Sequence, residues 1–260
     1  MADHRMMKLG KHPPRHDPRN LLMAKYLAAP EVLPAAPPSV TWSAKVSEWP
    51  MYSNDKVGDC TCAGIGHMIE AWSANAGALS LPSDSSVLQM YENVTGYNPA
   101  LTDADGNNPT DNGANETDVL NYMRSVGLGG HKVDAYVSVN PASSLEVKQA
   151  IYLFGGLYIG LALPLTAQRQ EIWDCVAEWS EEVAPGSWGG HAVNVVDYAP
   201  DGHLTVVTWG ALKEMTNAFW LEYCDEAWAI VSRDFFDAQG HDPAGFDFAQ
   251  LTADLQAIGA

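Results

Sequence analysis

Two short segments carry the residues whose types and spacing could do covalent chemistry. In Asn54-Asp-Lys-Val-Gly-Asp-Cys-Thr-Cys-Ala63, a glycine-containing loop delivers Cys60 to the start of an apolar periodic run, Thr61 to Ala74. That run places Ile65, Met68, Ile69 and Trp72 on one helical face. A cysteine in the first turn of a helix meets unpaired backbone N–H groups and the positive end of the helix dipole, and both favour the thiolate. A thiolate is the nucleophile that acyl transfer needs. The competing reading of this segment alone is a buried cysteine near a helix start. In Trp188-Gly-Gly-His-Ala-Val-Asn-Val-Val-Asp-Tyr198, a glycine pair brings His191 to the head of an apolar strand. A lone histidine is most often structural, but a Cys at a helix start and a His at a strand start about 130 residues later form a joint signal of a Cys/His pair. Cys62 is the competing nucleophile, and His67 reads as structural.

The composition narrows what such a pair could act on. The chain has 260 residues, 47% hydrophobic, enough for a sizeable core. Acidic residues outnumber basic ones 32 to 14, for a net charge of −18, which excludes nucleic acid as an expected partner. The basic residues Arg5, Lys8, Lys11, Arg15, Arg19 and Lys25 gather in the first 26 positions, as an arm able to meet an acidic surface. The longest apolar region, Ala150 to Leu165, is broken by Gly and Pro, so no membrane partner is expected. The start lacks an apolar signal core, and a cytoplasmic location is expected. Four cysteines make no disulfide framework; Cys60 and Cys62 are too close for an ordinary bridge, while a Cys175–Cys224 bridge stays open. No cofactor and no metal are expected. Asp103, Asp105 and Asn107 begin like a calcium loop, but Asn108 stands at its glycine position and Ala114 at its bidentate glutamate.

Around these residues the expected class is α+β. Residues 1–39 form an extended, Pro-rich basic arm with a short helix over Leu21–Leu27. Residues 40–235 form the main domain, with a helical lobe over about 55–130 and a sheet lobe over about 131–235. Helices are expected at Thr61–Ala74, Ser86–Thr95 behind an Asp84 cap, Glu116–Val126 and Ser144–Leu153. Strands are expected at 132–140, Gly156–Leu163, His191–Tyr198, Leu204–Trp209, Asn217–Tyr223 and Ala227–Ser232. Residues 236–260 are a C-terminal extension with a helix over Phe248–Ile258. Helices first and strands later place a helical lobe against a sheet lobe. Trp173, Trp179 and Trp188 cluster before His191, chiefly as core residues.

From about Val40 to Ser232 the chain resembles the papain-like cysteine peptidase superfamily. That resemblance implies a two-lobe fold whose central helix carries the nucleophile and faces an antiparallel sheet. It assigns Cys60 as nucleophile and His191 as its base. It puts Asn54, six residues before Cys60, where the oxyanion-hole Gln stands, and Glu70 at the glutamate ten residues after the nucleophile. Asp111-Asn112-Gly113 matches the Gly-rich turn bordering the substrate, with Trp188, Gly189 and Gly190 across the cleft. Trp209-Gly210 matches the Trp-Gly that shields the histidine. The Asn that orients the base, sixteen residues after the histidine, falls on Val207, with Thr208 expected on the opposite strand face. Asn194 and Asp197 could orient His191 only in a different geometry. The sequence looks like a divergent C1-like branch of bacterial or phage type. The implied activity is a cysteine peptidase or related amide hydrolase acting on a peptide or protein substrate. The alternative is a catalytically degenerate fold that serves as a structural module, assembling through residues 1–39 with copies of itself or into a virion.

Overall fold

The computed structural model describes residues 4–27, 35–236 and 242–243. In chain order, β1 (Leu21–Leu22), α1 (Met23–Leu27) and β2 (Val40–Thr41) precede the long helix α2 (Cys60–Asn75). Then come α3 (Asp84–Thr95), α4 (Glu116–Ser125), β3 (Val133–Ser138), α5 (Ser144–Phe154) and β4 (Leu157–Leu163). The chain continues through β5 (Gly189–Tyr198), β6 (Leu204–Thr208), β7 (Ala211–Met215), α6 (Asn217–Tyr223) and β8 (Cys224–Ser232). The class is α+β, with a helical lobe set against a mainly antiparallel sheet ordered β1-β3-β8-β4-β5-β6-β7, and β2 pairing with β5. One core cluster joins α2, α3 and α4 through Ile65, Met68, Val87, Met90 and Leu120. Another lies among the strands and α5. No helix among the described residues is long and apolar enough to cross a membrane.

Every residue of α2 is buried. Its small residues are what allow that. A side chain at Gly64 would meet the Tyr158 ring at 2.9 Å, and one at Gly66 the Tyr52 ring at 2.6 Å. Hydrogen bonds then strap the helix to the sheet side: Asn194 Nδ2 donates to Gly64 O at 2.6 Å and Trp72 Nε1 to Phe154 O at 2.8 Å. The central helix is thereby fixed against β5, the strand that carries His191.

Several elements differ from expectation for local reasons. Asn217–Tyr223 is helix, not strand: Thr216 caps it by accepting from Phe219 N at 3.1 Å, and Phe219, Trp220 and Tyr223 share its buried face. The unexpected strand β7 pairs with β6 and, through Met215, bridges to Trp173; its exposed Ala211, Leu212 and Glu214 hid its period. Ser83, not Asp84, caps α3. Leu21–Leu27 divides into β1, parallel to β3, and α1. The helix expected at Phe248–Ile258 lies outside the described residues.

Candidate active site

Cys60 opens α2, as its position after the Gly58 turn dictates. Gly58 N–H donates to both Asp111 carboxylate oxygens, at 3.0 and 3.1 Å, and Tyr91 donates to Asp111 Oδ1 at 2.8 Å. Asp111 thus braces the loop that delivers the cysteine. The Cys60 sulfur accepts from Ala192 N at 3.4 Å, which sets it beside the head of β5 and next to His191. His191 Nε2 pairs with Thr208 Oγ1 at 2.7 Å, and its buried Nδ1 has no hydrogen-bond partner among the described residues. The imidazole stacks on Trp209, centroids 4.3 Å apart and 14° from parallel. Trp188 packs on the same indole at 5.5 Å.

Thr208 reverses an expectation. Asn194 is paired with Val207 and Val195 with Val206, so the next step sets Thr208 opposite Val193. Val193 shares a strand face with His191, and so does Thr208. Val207 points the other way, into a cluster with Trp49, Ala71 and Val196. The signal was in the sequence, in the strand parity, and was missed because the parity was anchored on the wrong residue. Asn194 is committed to Gly64, and Asp197 accepts from Ser43 N and Oγ at 2.9 and 2.5 Å. Neither reaches His191.

Asn54 is buried, and its carboxamide nitrogen donates to Val57 O at 3.1 Å and Asp59 Oδ1 at 3.2 Å. Both amide hydrogens are engaged within the loop in this arrangement. Burial holds the Asp59 carboxyl well above its usual range. Cys62 is fully buried in the helical core, and all four cysteines are free thiols. Asp103 folds back on its own turn, accepting from Asp105 N and Asn107 N at 2.9 and 2.8 Å. No group of side chains fit to hold a metal occurs among the described residues.

The N-terminal arm runs through the cleft. Lys11 N–H donates to Gly190 O at 3.0 Å. On the other wall, Ala114 N–H donates to Gly10 O at 2.8 Å and His12 N–H to Ala114 O at 2.9 Å. The Gly10 amide is directed at the Cys60 sulfur. Glycines on both walls make room: a Cβ on Gly113 would lie 2.1 Å from Gly10 O, and one on Gly190 2.1 Å from Lys11 O. Gly189 likewise faces Leu9, and His4 stacks on Trp209 at 5.0 Å. Gly113, Gly189 and Gly190 therefore border a bound peptide segment, while Asp111 supports the loop behind it. Asn112 takes part through its carbonyl, which lies 2.6 Å from His12 Nε2.

Burial sets the charge state. It pushes the Cys60 thiol up to about 12, against the pull of the Ala192 amide. It drives His191 down to about 3. A neutral thiol beside a neutral imidazole results.

No known protein-family model matches the sequence, and no curated protein does. Solved structures do. Xylellain, a cysteine protease from Xylella fastidiosa, superposes with a TM-score of 0.62 at 14% identity, over 87% of this chain and 96% of that one. Digestive procathepsin L 3 of Tenebrio molitor gives 0.57 at 14% identity, covering 87% and 76%. The cysteine protease and lectin-like domains of Cwp84, a surface layer associated protein of Clostridium difficile, give 0.58 at 11%, covering 88% and 57%. The fold is that of the papain-like cysteine proteases.

Proposed function

We propose that the protein is a papain-like cysteine peptidase or related amide hydrolase working through Cys60 and His191, latent while its own arm lies across the cleft. The observation that carries this is the pairing at the cleft: a helix-start sulfur hydrogen-bonded to Ala192 N, beside a histidine held by Thr208 with Nδ1 left unpartnered. With the proton on Nε2 shared with Thr208, Nδ1 carries the lone pair that takes the Cys60 proton. The thiolate attacks the substrate carbonyl carbon. The Cys60 N–H, which has no acceptor four residues back in the helix, is positioned to meet the oxyanion. Asn54 would join it only by turning away from Val57 O. Protonated His191 then gives its proton to the leaving amine, and water hydrolyses the thioester. Trp209 shields the imidazole. A departing arm returns water and charge to the site, which relaxes both pKa values toward an ion pair.

A second reading, a non-catalytic module, draws on the same burial: with the arm in place, Cys60 and His191 hold no charge. Peptidase turnover and iodoacetamide labelling decide between them. The catalytic reading expects Cys60 to react ahead of Cys62, Cys175 and Cys224 once the arm is loosened by Lys11→Ala. It also expects Cys60→Ser to lose turnover by about 10³-fold or more. Equal labelling of the four thiols, with no turnover, would leave the module reading.

A further inference from the structure

Lys11 enters the body of the protein as no other cation of the arm does. Its side chain is fully buried. The ammonium lies 2.8 and 3.0 Å from the two carboxylate oxygens of Asp225 and 3.0 Å from Glu226 Oε1. A third carboxyl, Glu116, is completely buried against the same group. The indole N–H of Trp228 donates to Glu226 Oε2 at 3.1 Å, which leaves both Glu116 oxygens without a hydrogen bond among the described residues. The floor is Gly160, where a Cβ would sit 1.8 Å from Lys11 Cε. Burial opposes the lysine's charge, but the three carboxyls together raise its pKa above the ordinary value.

An anchor for the arm would need one carboxylate. Burying Glu116 and Glu226 behind the exposed Asp225, all against a single ammonium, is a poor stabilising device, because burial pushes both glutamate carboxyls up and the acids beyond the first are surplus to one cation. The three acids come from the start of α4 and the start of β8, and the opening in the floor comes from β4. The body therefore builds the pocket, and the arm contributes only the cation. The pocket also adjoins the nucleophile: the Lys11 backbone pairs with Gly190, beside His191, while the preceding Gly10 amide points at the Cys60 sulfur.

We propose that the pocket formed by Glu116, Asp225, Glu226 and Gly160 is a specificity site for a lysine or arginine side chain of the substrate, and that Lys11 occupies it as an internal mimic. This deepens the peptidase reading and rests on it. The substrate class is a peptide carrying a long basic side chain next to the residue at Cys60. The net charge of −18 adds a long-range attraction for such peptides.

The test uses the full chain with Lys11→Glu, which sets a carboxylate against the pocket, and with Lys11→Met, which keeps the aliphatic stem should charge reversal impair folding. A positional peptide library compares Lys, Arg, Leu and Glu at each position near the cleaved bond. The expected result is a kcat/KM at least tenfold higher for Lys or Arg than for Leu at one position. Asp225→Asn with Glu226→Gln in the same background brings that ratio within threefold. Cleavage without a basic preference, or a preference that survives those substitutions, overturns the proposal. If no peptide is cleaved, the peptidase reading fails, and binding still decides the pocket. A peptide copying residues 8–14, Lys-Leu-Gly-Lys-His-Pro-Pro, is titrated by tryptophan fluorescence against the same peptide with its second lysine replaced by alanine. A tenfold or greater loss of binding upholds the pocket; equal binding, or none by either peptide, overturns it.

Discussion

His67 and His191 are both buried histidines whose pKa values burial drives down, to about 4 and about 3. They differ in what buries them. His67 lies within α2, bonded to Pro50 O at 2.7 Å and packed by Trp49 and Tyr52, while Tyr52 in turn donates to Glu70. Every wall of that cluster is the body of the protein. His191, Cys60 and Glu116 lie where the arm completes the enclosure: His4 stacks on Trp209, Gly10 covers the sulfur, and Lys11 meets the acids. A polar cluster closed by its own surroundings is structure, whereas one closed only by a separable segment is a site awaiting something else.

The strongest way to break this contrast is to dislodge the arm. Lys11→Glu is expected to raise the rate of Cys60 alkylation by about 100-fold, read by mass spectrometry, with Cys62 still protected inside α2. Tyr52→Phe, which disturbs only the other cluster, leaves that rate unchanged. In the Lys11→Glu protein, NMR titration finds His191 climbing from about 3 toward its ordinary value while His67 stays near 4. If both histidines move together, or neither does, the arm is not what separates the two regions.

That contrast also marks where sequence reasoning reached its limit. The helix start at Cys60, the strand start at His191, the stacking Trp209 and the glycine turn at Gly113 were legible, because each depends on a local pattern or a fixed offset. Lys11, Glu116, Gly160, Asp225 and Glu226 were not singled out as a group. They come from four distant stretches, and only the β4–β8 pairing and the entry of the arm bring them together. The basic character of the arm and the acidity of the body were visible as composition; which lysine met which carboxylates depends on three-dimensional register. Asn217–Tyr223 was misread for a comparable reason, since its aromatic residues fit either period until the Thr216 cap is seen.

A smaller effect tests the support of His191. Thr208→Val is expected to lower kcat about tenfold in the arm-loosened protein, with KM little changed, because the hydroxyl fixes the ring rather than touching substrate. Thr208→Ser retains the hydroxyl and restores most of the rate. Val207→Asn, at the position the resemblance singled out, gives no gain, since that side chain faces Trp49, Ala71 and Val196. A rate gain in Val207→Asn would mean that the strand presents its other face to the histidine.

The smallest expected effect lies in the closed cluster and has a pH signature. Burial pushes the Glu70 carboxyl up to about 8, against the hydrogen bond from Tyr52 that pulls it down. Between about 4.5 and 8 the native state keeps a proton that the unfolded chain has lost, so stability falls as pH rises through that window. His67 acts with the opposite sign: its pKa is lowered to about 4, so its share is complete above about 6.5 and is lost as pH falls. The two oppose each other below about 6.5 and separate above it. From pH 6.5 to 8 Glu70 alone is therefore expected to cost the wild-type protein ~2 kcal/mol, or about 4 °C or more in Tm. Glu70→Gln cannot titrate at that position, and its melting temperature should fall by about 4 °C less than the wild type's over the same range by calorimetry, the raised Asp59 and Glu116 carboxyls keeping their own share of the slope, with Cys60 alkylation unaltered at each pH. A slope in Glu70→Gln equal to that of the wild type would place the titrating group elsewhere, and the cleft, where the arm sets the protonation of Cys60 and His191, would be the first region to examine for it.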